Sequence, residues 1–560
     1  EGTQVNDYAD DVFGGAIYKG TTLMSAPASI PADFKIREGT TEIADYAFMN
    51  SRFASGYTLE IPATVTRIGT GAFMRSNLQA VTLPEGLASI PAYAFSGTSL
   101  GSITVPASVT SIGAYAFSYG SRLNGVSFAQ RQTALELGEG AFTGCTSLEE
   151  IALPALVASD GKVVLAYSAF AGCYALTSVD LSNVTEIGAG AFAGCRSIAE
   201  IDLKNVTVIG YGAFGGIVSG ESTVNCSSLS SVKGLEKVTH IGEAAFNGAP
   251  LENINISSAT EIGATAFYGS AVSSVTIGAN LKTLGGGAFA NSANLTAFTV
   301  NANNANFFAE DGVLYRIING TKENGTYELC AYPTAKRAAG SGKVYNVKDG
   351  AVTVSAYAMA FLAKDTVSEV VLPYSVKTLG NAAFYSSGIT SYVFNSIQAP
   401  VLLTETYDVS EYISSYRFGY ALNFEDGFVT HIPITGNAVE SQLKISYPEN
   451  GSGYDNYVYE NYFGQKVTLG ELMDDRTRSL KAQIEGFESA QTVAGWNSLE
   501  VNEQNTAMVA AFSDRVKAAH AEYNNITSQT QLDYLGSQNI QKLFDIESAL
   551  KWVNSRFGIP

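Results

Sequence analysis

The sequence predicts a β-rich solenoid, a right-handed stack of short coils, followed by a small all-α bundle. Three observations predict it. An eight-residue phrase ending in Ala-Phe returns about a dozen times. A short segment of alternating apolar residues precedes each phrase, as a strand buried on one side requires. Near the C-terminal end the apolar spacing changes from period two to a helical period.

Composition bounds the reading first. Of 560 residues, 46% are hydrophobic and only 15% charged, with 55 Gly, which fits an ordered, turn-rich chain. The net charge of −19, from 33 Lys+Arg against 52 Asp+Glu, opposes nucleic acid and anionic membrane surfaces. No apolar run approaches the ~20 residues of a membrane span. The opening EGTQVNDYADD lacks the basic and apolar regions of a signal peptide.

In chain order, residues 1–32 are expected to cap the stack, and 33–400 to form it as about fourteen coils. The phrase TSIGAYAF, Thr110 to Phe117, is restated as TEIADYAF, TRIGTGAF, TEIGAGAF, THIGEAAF and KTLGNAAF. Its phenylalanine recurs at Phe48, Phe73, Phe95, Phe117, Phe142, Phe170, Phe192, Phe214, Phe246, Phe267, Phe289 and, after a gap, Phe384, mostly 21 to 25 residues apart. A coil of that size cannot bury its own apolar face, so it must stack on near-identical coils. Ile112 and Phe117 are expected inside, Ala116 at a close coil contact, and Gly113 at a tight bend.

The upstream segments NLQAVTLP, SLGSITVP, SLEEIALP and SIAEIDLK, then Ile-Gly-x-x-Ala-Phe, then Gly-Cys-x-Ser-Leu, together resemble the BspA-type leucine-rich repeat of bacterial surface proteins, over roughly residues 30–400. The resemblance implies a non-enzymatic scaffold, extracellular, secreted or held at the cell surface, that binds host or neighbouring-cell proteins. Departures are local. Pro91 replaces the usual Gly, Met359 sits where Phe is expected, and an insertion at GIVSGESTVN widens the step from Phe214 to Phe246.

Between 301 and 350 the runs FFAEDGVLYRI and TYELCAYP flank the turn signal IINGTKENGT, which predicts a projecting hairpin. Residues 401–466, rich in Tyr, Asn and Gly, are expected to cap the far end, because an apolar solenoid end would aggregate. Residues 467–560 read as three amphipathic helices, with Leu472, Leu480, Ile484 and Phe487 on one face, then Met508, Phe512, Val516, Ala519 and Tyr523, then Ile540, Leu543, Phe544, Leu550 and Trp552. This tail is similar to helical spacer modules of Gram-positive surface proteins.

Candidate sites are few. Cys145, Cys173, Cys195 and Cys226 hold one register in successive coils, a spacing that suits buried free thiols better than disulfides or a metal; Cys330 stands apart. His240, His431 and His520 lie in separate segments, leaving little material for zinc or a His-based triad. GTSLG, Gly97 to Gly101, and GYGAFG, Gly210 to Gly215, match nucleophile-elbow and dinucleotide patterns but are explained as repeat turns. No cofactor or metal is expected.

Strand alternation places one outward column at Thr82, Thr104, Ser127, Ala152, Asp180, Asp202, Asn255 and Thr276, beside Ser102, Glu150, Ser178, Glu200, Asn253 and Ser274. Glu150, Asp180, Glu200 and Asp202 should cluster there and could receive a basic partner or a cation. A second candidate is the aromatic group Tyr454, Tyr457, Tyr459, Tyr462 and Phe463, which would suit a glycan. A monomeric protein-binding scaffold is the expected function. A glycan-binding surface protein is the alternative, and an enzyme with an unrecognised carboxylate pair is a third class.

Overall fold

A computed structural model describes residues 11–131, 133–156, 163–219, 222–340, 342–396, 398–402, 444–448, 466–467, 475–526, 532 and 535–559. It shows a β-solenoid of about 16 turns followed by a small helical region. The count exceeds fourteen because parallel pairing begins earlier and runs later than the phenylalanine phrase. Thr22–Ser25 already pairs parallel with Glu42–Ile43, and Lys444–Pro448 pairs parallel with Ser391–Phe394. Before the first turn, Asp11–Phe13, Ala16–Lys19 and Thr22–Ser25 form an antiparallel meander.

Each coil contributes two very short strands. The Leu-x-x-Ile-x-Ile segment forms one ladder, as where Ser102–Val105 pairs in register with Gly125–Phe128. The residue pair ending in the phrase's isoleucine forms the other, a six-stranded parallel sheet from Val164–Leu165 to Thr283–Leu284 in the middle of the stack. Between them, the turn carrying Ala-Phe is tied to its neighbour by backbone bonds. The Phe95 amide donates to the Ala116 carbonyl at 2.7 Å, and Phe117 to Ala141 at 2.8 Å.

The phenylalanines lie inside, as their period requires. Phe73, Phe95, Phe117, Phe142, Phe170, Phe192, Phe214, Phe246, Phe267, Phe289 and Phe384 are all buried. From Phe48 to Phe289 each ring stacks on the next at centroid separations between 5.0 and 5.7 Å and within 16° of parallel. Offset stacks at this spacing are favourable beyond simple burial. Ile112 and Ala116 are equally buried, and Met359 fills the phenylalanine position in its coil, its amide donating to the Ala383 carbonyl.

Gly113 does not act as expected. Its backbone is not left-handed; instead a Cβ there would fall 2.5 Å from the Ala92 nitrogen. The glycine lets successive backbones touch. The bend is made elsewhere, by left-handed residues two before and two after the phenylalanine, such as Tyr115 (φ 56°) and Tyr119 (φ 57°) around Phe117.

Two insertions interrupt the stack. Ile217–Ser219 and Ser222–Val224 form an antiparallel hairpin in the widened step before Phe246. In the larger one, Phe307–Glu310, Val313–Asn319 and Thr326–Ala331 form a three-stranded meander, one strand more than expected, and its last strand pairs parallel with Ala351–Val354. The meander is thus sewn into the solenoid: Phe307 and Leu314 belong to the core that begins at Ala16, while Phe308, Val313 and Tyr315 begin a second core running to Tyr447.

The helical region holds four helices among the described residues, Asp475–Glu485, Ala490–Gly495, Glu503–Asn524 and Ser537–Phe557, rather than three. The extra one is too short to show a period, but Ser489 caps it by accepting from the Thr492 amide at 3.1 Å. Leu480, Ile484, Phe487, Phe512, Val516, Ala519, Leu543 and Leu550 are buried as read from the pattern. Met508, Phe544 and Trp552 are exposed instead, Trp552 by 76%, because Val509, Leu543 and Val553 occupy the core-facing positions beside them. Leu472 lies outside the described residues.

Candidate interaction surface

The outward columns of the first ladder stand where strand alternation puts them. Every residue of the two columns, from Thr82 to Thr276 and from Ser102 to Ser274, is exposed. Hydroxyls on adjacent coils join along the face, Thr104 to Ser127 at 2.9 Å and Thr276 to Thr299 at 2.7 Å. Two shallow grooves follow it. One, of about 680 Å³, is bordered by Ser102, Thr104, Ser127, Glu150, Ser178 and Asp180. The other, of about 500 Å³, is bordered by Asn253, Asn255, Ser274 and Thr276.

The four acidic candidates fall on three consecutive coils, but they are not an open acidic cluster. Lys204 lies 3.4 Å from Asp180, and Lys233 bonds Glu200. Ser231 donates to the other Glu200 oxygen at 3.3 Å. Register pairs Glu150 with Ser178, which separates it from Glu200, and pairs Asp202 with Lys233. Asp180 and Asp202 also close the strand end: their carboxylates accept the Ser182 and Lys204 amides at 2.9 and 3.0 Å. Asn255 and Asn301 make the same turn with Ser257 and Asn303.

That bonding explains the titration. The Ser182 amide, then the Ser182 hydroxyl and Lys204, hold the Asp180 carboxyl below its ordinary range. Lys233 does the same for Glu200, and is itself pushed up by it. Among the described residues no group of three or more His, Cys, Asp or Glu side chains could hold a metal ion. The face can offer hydroxyls, a neutralised acid–lysine network, and the exposed Glu150.

The remaining candidates are placed as follows. Cys145, Cys173, Cys195, Cys226 and Cys330 are buried and free. In the ladder of four, each thiol donates to the phenylalanine carbonyl of the preceding coil at 3.1–3.2 Å, as Cys173 does to Phe142. Burial pushes the Cys145 and Cys226 thiols up to about 12. His240 sits in the second ladder, its Nδ1 2.9 Å from the Thr239 hydroxyl, and His520 lies 3.1 Å from Glu547 in the helical region. His431 and the group Tyr454, Tyr457, Tyr459, Tyr462 and Phe463 lie outside the described residues. GTSLG and GYGAFG are repeat turns, with Gly97 and Gly212 left-handed.

Sequence reasoning missed two features. Lys233 reaches Glu200 across a 33-residue separation that the hairpin insertion stretches beyond the usual period. Tyr46, Tyr93 and Tyr119 are 50%, 41% and 54% exposed on the turn edge. These tyrosines occupy the variable positions around Ala-Phe, which read as filler when only the fixed positions are followed.

The fold and this surface define a class, the β-solenoid built from short repeats whose stacked coils share their buried interior. More particularly, the chain belongs to the BspA type leucine rich repeat family, whose repeat matches residues 41–162, 131–224, 220–310 and 348–423, more than half of the chain. No curated protein matches it. Among solved structures it is similar to a leucine-rich repeat protein from Bacteroides ovatus, at 18% identity, covering 81% of this chain and 95% of that one, with TM-score 0.39. It is also similar to a leucine rich cell surface protein from Faecalibacterium prausnitzii, at 18% identity, 77% and 84% coverage and TM-score 0.26. A third is the leucine rich repeat protein of T. pallidum, at 27% identity over 32% of this chain and 82% of that one, with TM-score 0.25. At these scores the likenesses carry no weight of their own, and the membership rests on the repeats. Among the described residues no helix is long and apolar enough to cross a membrane.

Proposed function

We propose that this chain is a non-enzymatic recognition and adhesion scaffold, displayed at a cell surface or secreted, that binds proteins of a host or of neighbouring cells. The observation that supports this most is the division of labour within each coil. Interior columns are fixed by the phenylalanine ladder, while the outward positions beside them contribute nothing to that core and can change freely. A long ordered surface of this kind suits a macromolecular partner better than a small substrate. The exposed carboxylates, with the net charge of −19, would select against acidic partners at long range rather than anchor a bound one.

The test is direct binding of the full chain to a panel of purified extracellular-matrix proteins, run beside a glycan array and a polysaccharide turnover assay. Saturable binding to matrix proteins is expected, with a blank array and no turnover. Binding confined to the array would move the function to glycan recognition, and turnover would make the chain an enzyme.

A further inference from the structure

The repeat supplies its own control for what each position needs. In nearly every coil two backbone positions are left-handed, two residues before and two after the phenylalanine, and glycine adopts that conformation without steric cost. In the middle of the stack glycine often holds them, as at Gly140, Gly190 and Gly212 before the ring and Gly144, Gly172 and Gly194 after it. In the first coils the same positions hold Tyr46, Tyr93, Tyr115 and Tyr119, with φ between 56° and 57°, and Arg75 at 57°. A bulky side chain in this region is a strained choice, and such outliers point to a use other than folding.

Tyr115 is half-buried, but burial does not explain the others. Tyr46, Tyr93 and Tyr119 are 40% exposed or more, Met49 beside them is 40% exposed, and Arg75 is exposed. Where aromatics return to these positions beyond the meander they are packed: Phe361 meets Tyr268 and Tyr385 edge-on at 5.4 Å. Among the described residues, only the first coils present tyrosine, methionine and arginine together on an open edge, the residue types that enrich the energetic centres of protein interfaces.

The rings also say which partner they suit. Each lies with one face against the next coil. A Cβ on Gly71 would fall 2.6 Å from the Tyr46 ring, one on Gly140 2.4 Å from Tyr115, and one on Gly144 3.0 Å from Tyr119. Tyr93 stacks on Tyr115 at 5.3 Å and 12°. Faces that could stack on a sugar ring are therefore partly covered, while Tyr46, Tyr93 and Tyr119 keep 41–54% of their surface exposed. The Tyr115 hydroxyl donates to Glu139. Rigid tyrosine rings with few rotatable bonds are how protein-recognising surfaces obtain contact area at low entropic cost.

We infer that the turn edge carrying Tyr46, Arg75, Tyr93, Tyr115 and Tyr119 is the docking surface of this scaffold, and that its partner is a folded protein offering an apolar patch ringed by backbone carbonyl acceptors for the exposed Arg75. The inference rests on the reading of the chain as a protein-binding scaffold. It places the contact on the turn edge rather than on the acidic strand face.

The experiment uses the full chain and the matrix proteins that bind it, before and after enzymatic deglycosylation. Tyr46→Gly, Tyr93→Gly, Tyr115→Gly and Tyr119→Gly are combined in one variant, and Tyr→Ser at the same four sites in another. Ser168 and Ser386 already occupy these columns, so the serine set removes the rings and keeps the left-handed backbone. Both variants are expected to bind at least tenfold more weakly, deglycosylation to change nothing, and the glycine variant to unfold at or above the wild-type midpoint. Undiminished binding in either folded variant overturns the assignment of this edge and leaves the scaffold reading standing. Binding lost on deglycosylation, or no binding by the wild type to any matrix protein, overturns both.

Discussion

The coils from Phe48 to Phe117 and those from Phe142 to Phe289 share one ring ladder and one backbone path, yet present different edges. The first set carries tyrosines at its left-handed positions, and much of the second carries glycines. The contrast separates two kinds of constraint. An interior position must match the coil above and below, so it keeps nearly the same side chain along the stack, with Met359 the exception at the phenylalanine position. An outward position answers only to its local backbone, and where it holds a residue the backbone disfavours, something outside the fold has to account for it.

The largest effect should come from breaking what the two regions have in common. Phe170 stacks on Phe142 at 5.6 Å and on Phe192 at 5.7 Å and has no exposed surface. Phe170→Ala is expected to cost about 3–5 kcal/mol in chemical denaturation. Phe95→Ala, in the tyrosine-edged coils, should cost a similar amount. A cost near zero at either site would mean that the ladder does not hold that region together.

Next in size is the close approach of neighbouring backbones. A Cβ on Gly263 would lie 2.3 Å from the Glu243 nitrogen and 2.5 Å from its Cα, with no flexible side chain to yield. Gly263→Ala should destabilise by about 1–3 kcal/mol through overpacking. Gly212→Ala makes the useful contrast. Its φ is 54°, nothing lies within 4 Å of the added methyl, and Ala244 holds the equivalent position at 53°. Here only the left-handed penalty applies, about 1 kcal/mol. Equal costs at the two glycines would erase the distinction between spacing and bending.

That distinction was not legible in the sequence, because the letter G does not say whether a missing Cβ serves the backbone's own angle or a neighbour's approach. Gly113 was assigned to a bend that Tyr115 makes. What repeats under burial was legible: the phenylalanine period, the thiol register and the outward alternation from Thr82 to Thr276 all follow from one coil geometry. What depends on residues out of period was not. Lys233 meets Glu200 only because an inserted hairpin shifts the count, and the extra helix Ala490–Gly495 is shorter than two helical turns. The helix phase slipped by a residue at Met508, where Val509 packs instead, because a stripe of apolar residues is wider than the contact it makes.

The smallest effect at neutral pH concerns the thiols, a ladder confined to the second region whose first member, Cys145, lies at its border with the tyrosine-edged coils. Cys145 lies beside Tyr119's coil and Cys226 deep among the glycine-edged coils, yet both are fully buried and both are pushed up to about 12 by loss of solvent. Only the thiolate reacts, so a disulfide reagent at pH 8 should leave all four ladder cysteines unlabelled in the native protein and label them fully in denaturant. The sign of the pH dependence follows from the same shift. An unfolded thiol ionises near pH 8.5, whereas the folded one stays neutral until about 12. Stability is therefore intact below pH ~8.5 and falls as pH rises toward the folded value, because the unfolded chain releases protons that the folded one keeps. Replacing Cys145 and Cys226 together by Ala should make that alkaline decline shallower in denaturation midpoints measured from pH 8 to 11, leaving the share of Cys173, Cys195 and Cys330, whose thiols burial also pushes up. A decline of unchanged steepness would assign it to other groups, with the buried tyrosine Tyr315, also pushed up to about 12, the next to replace.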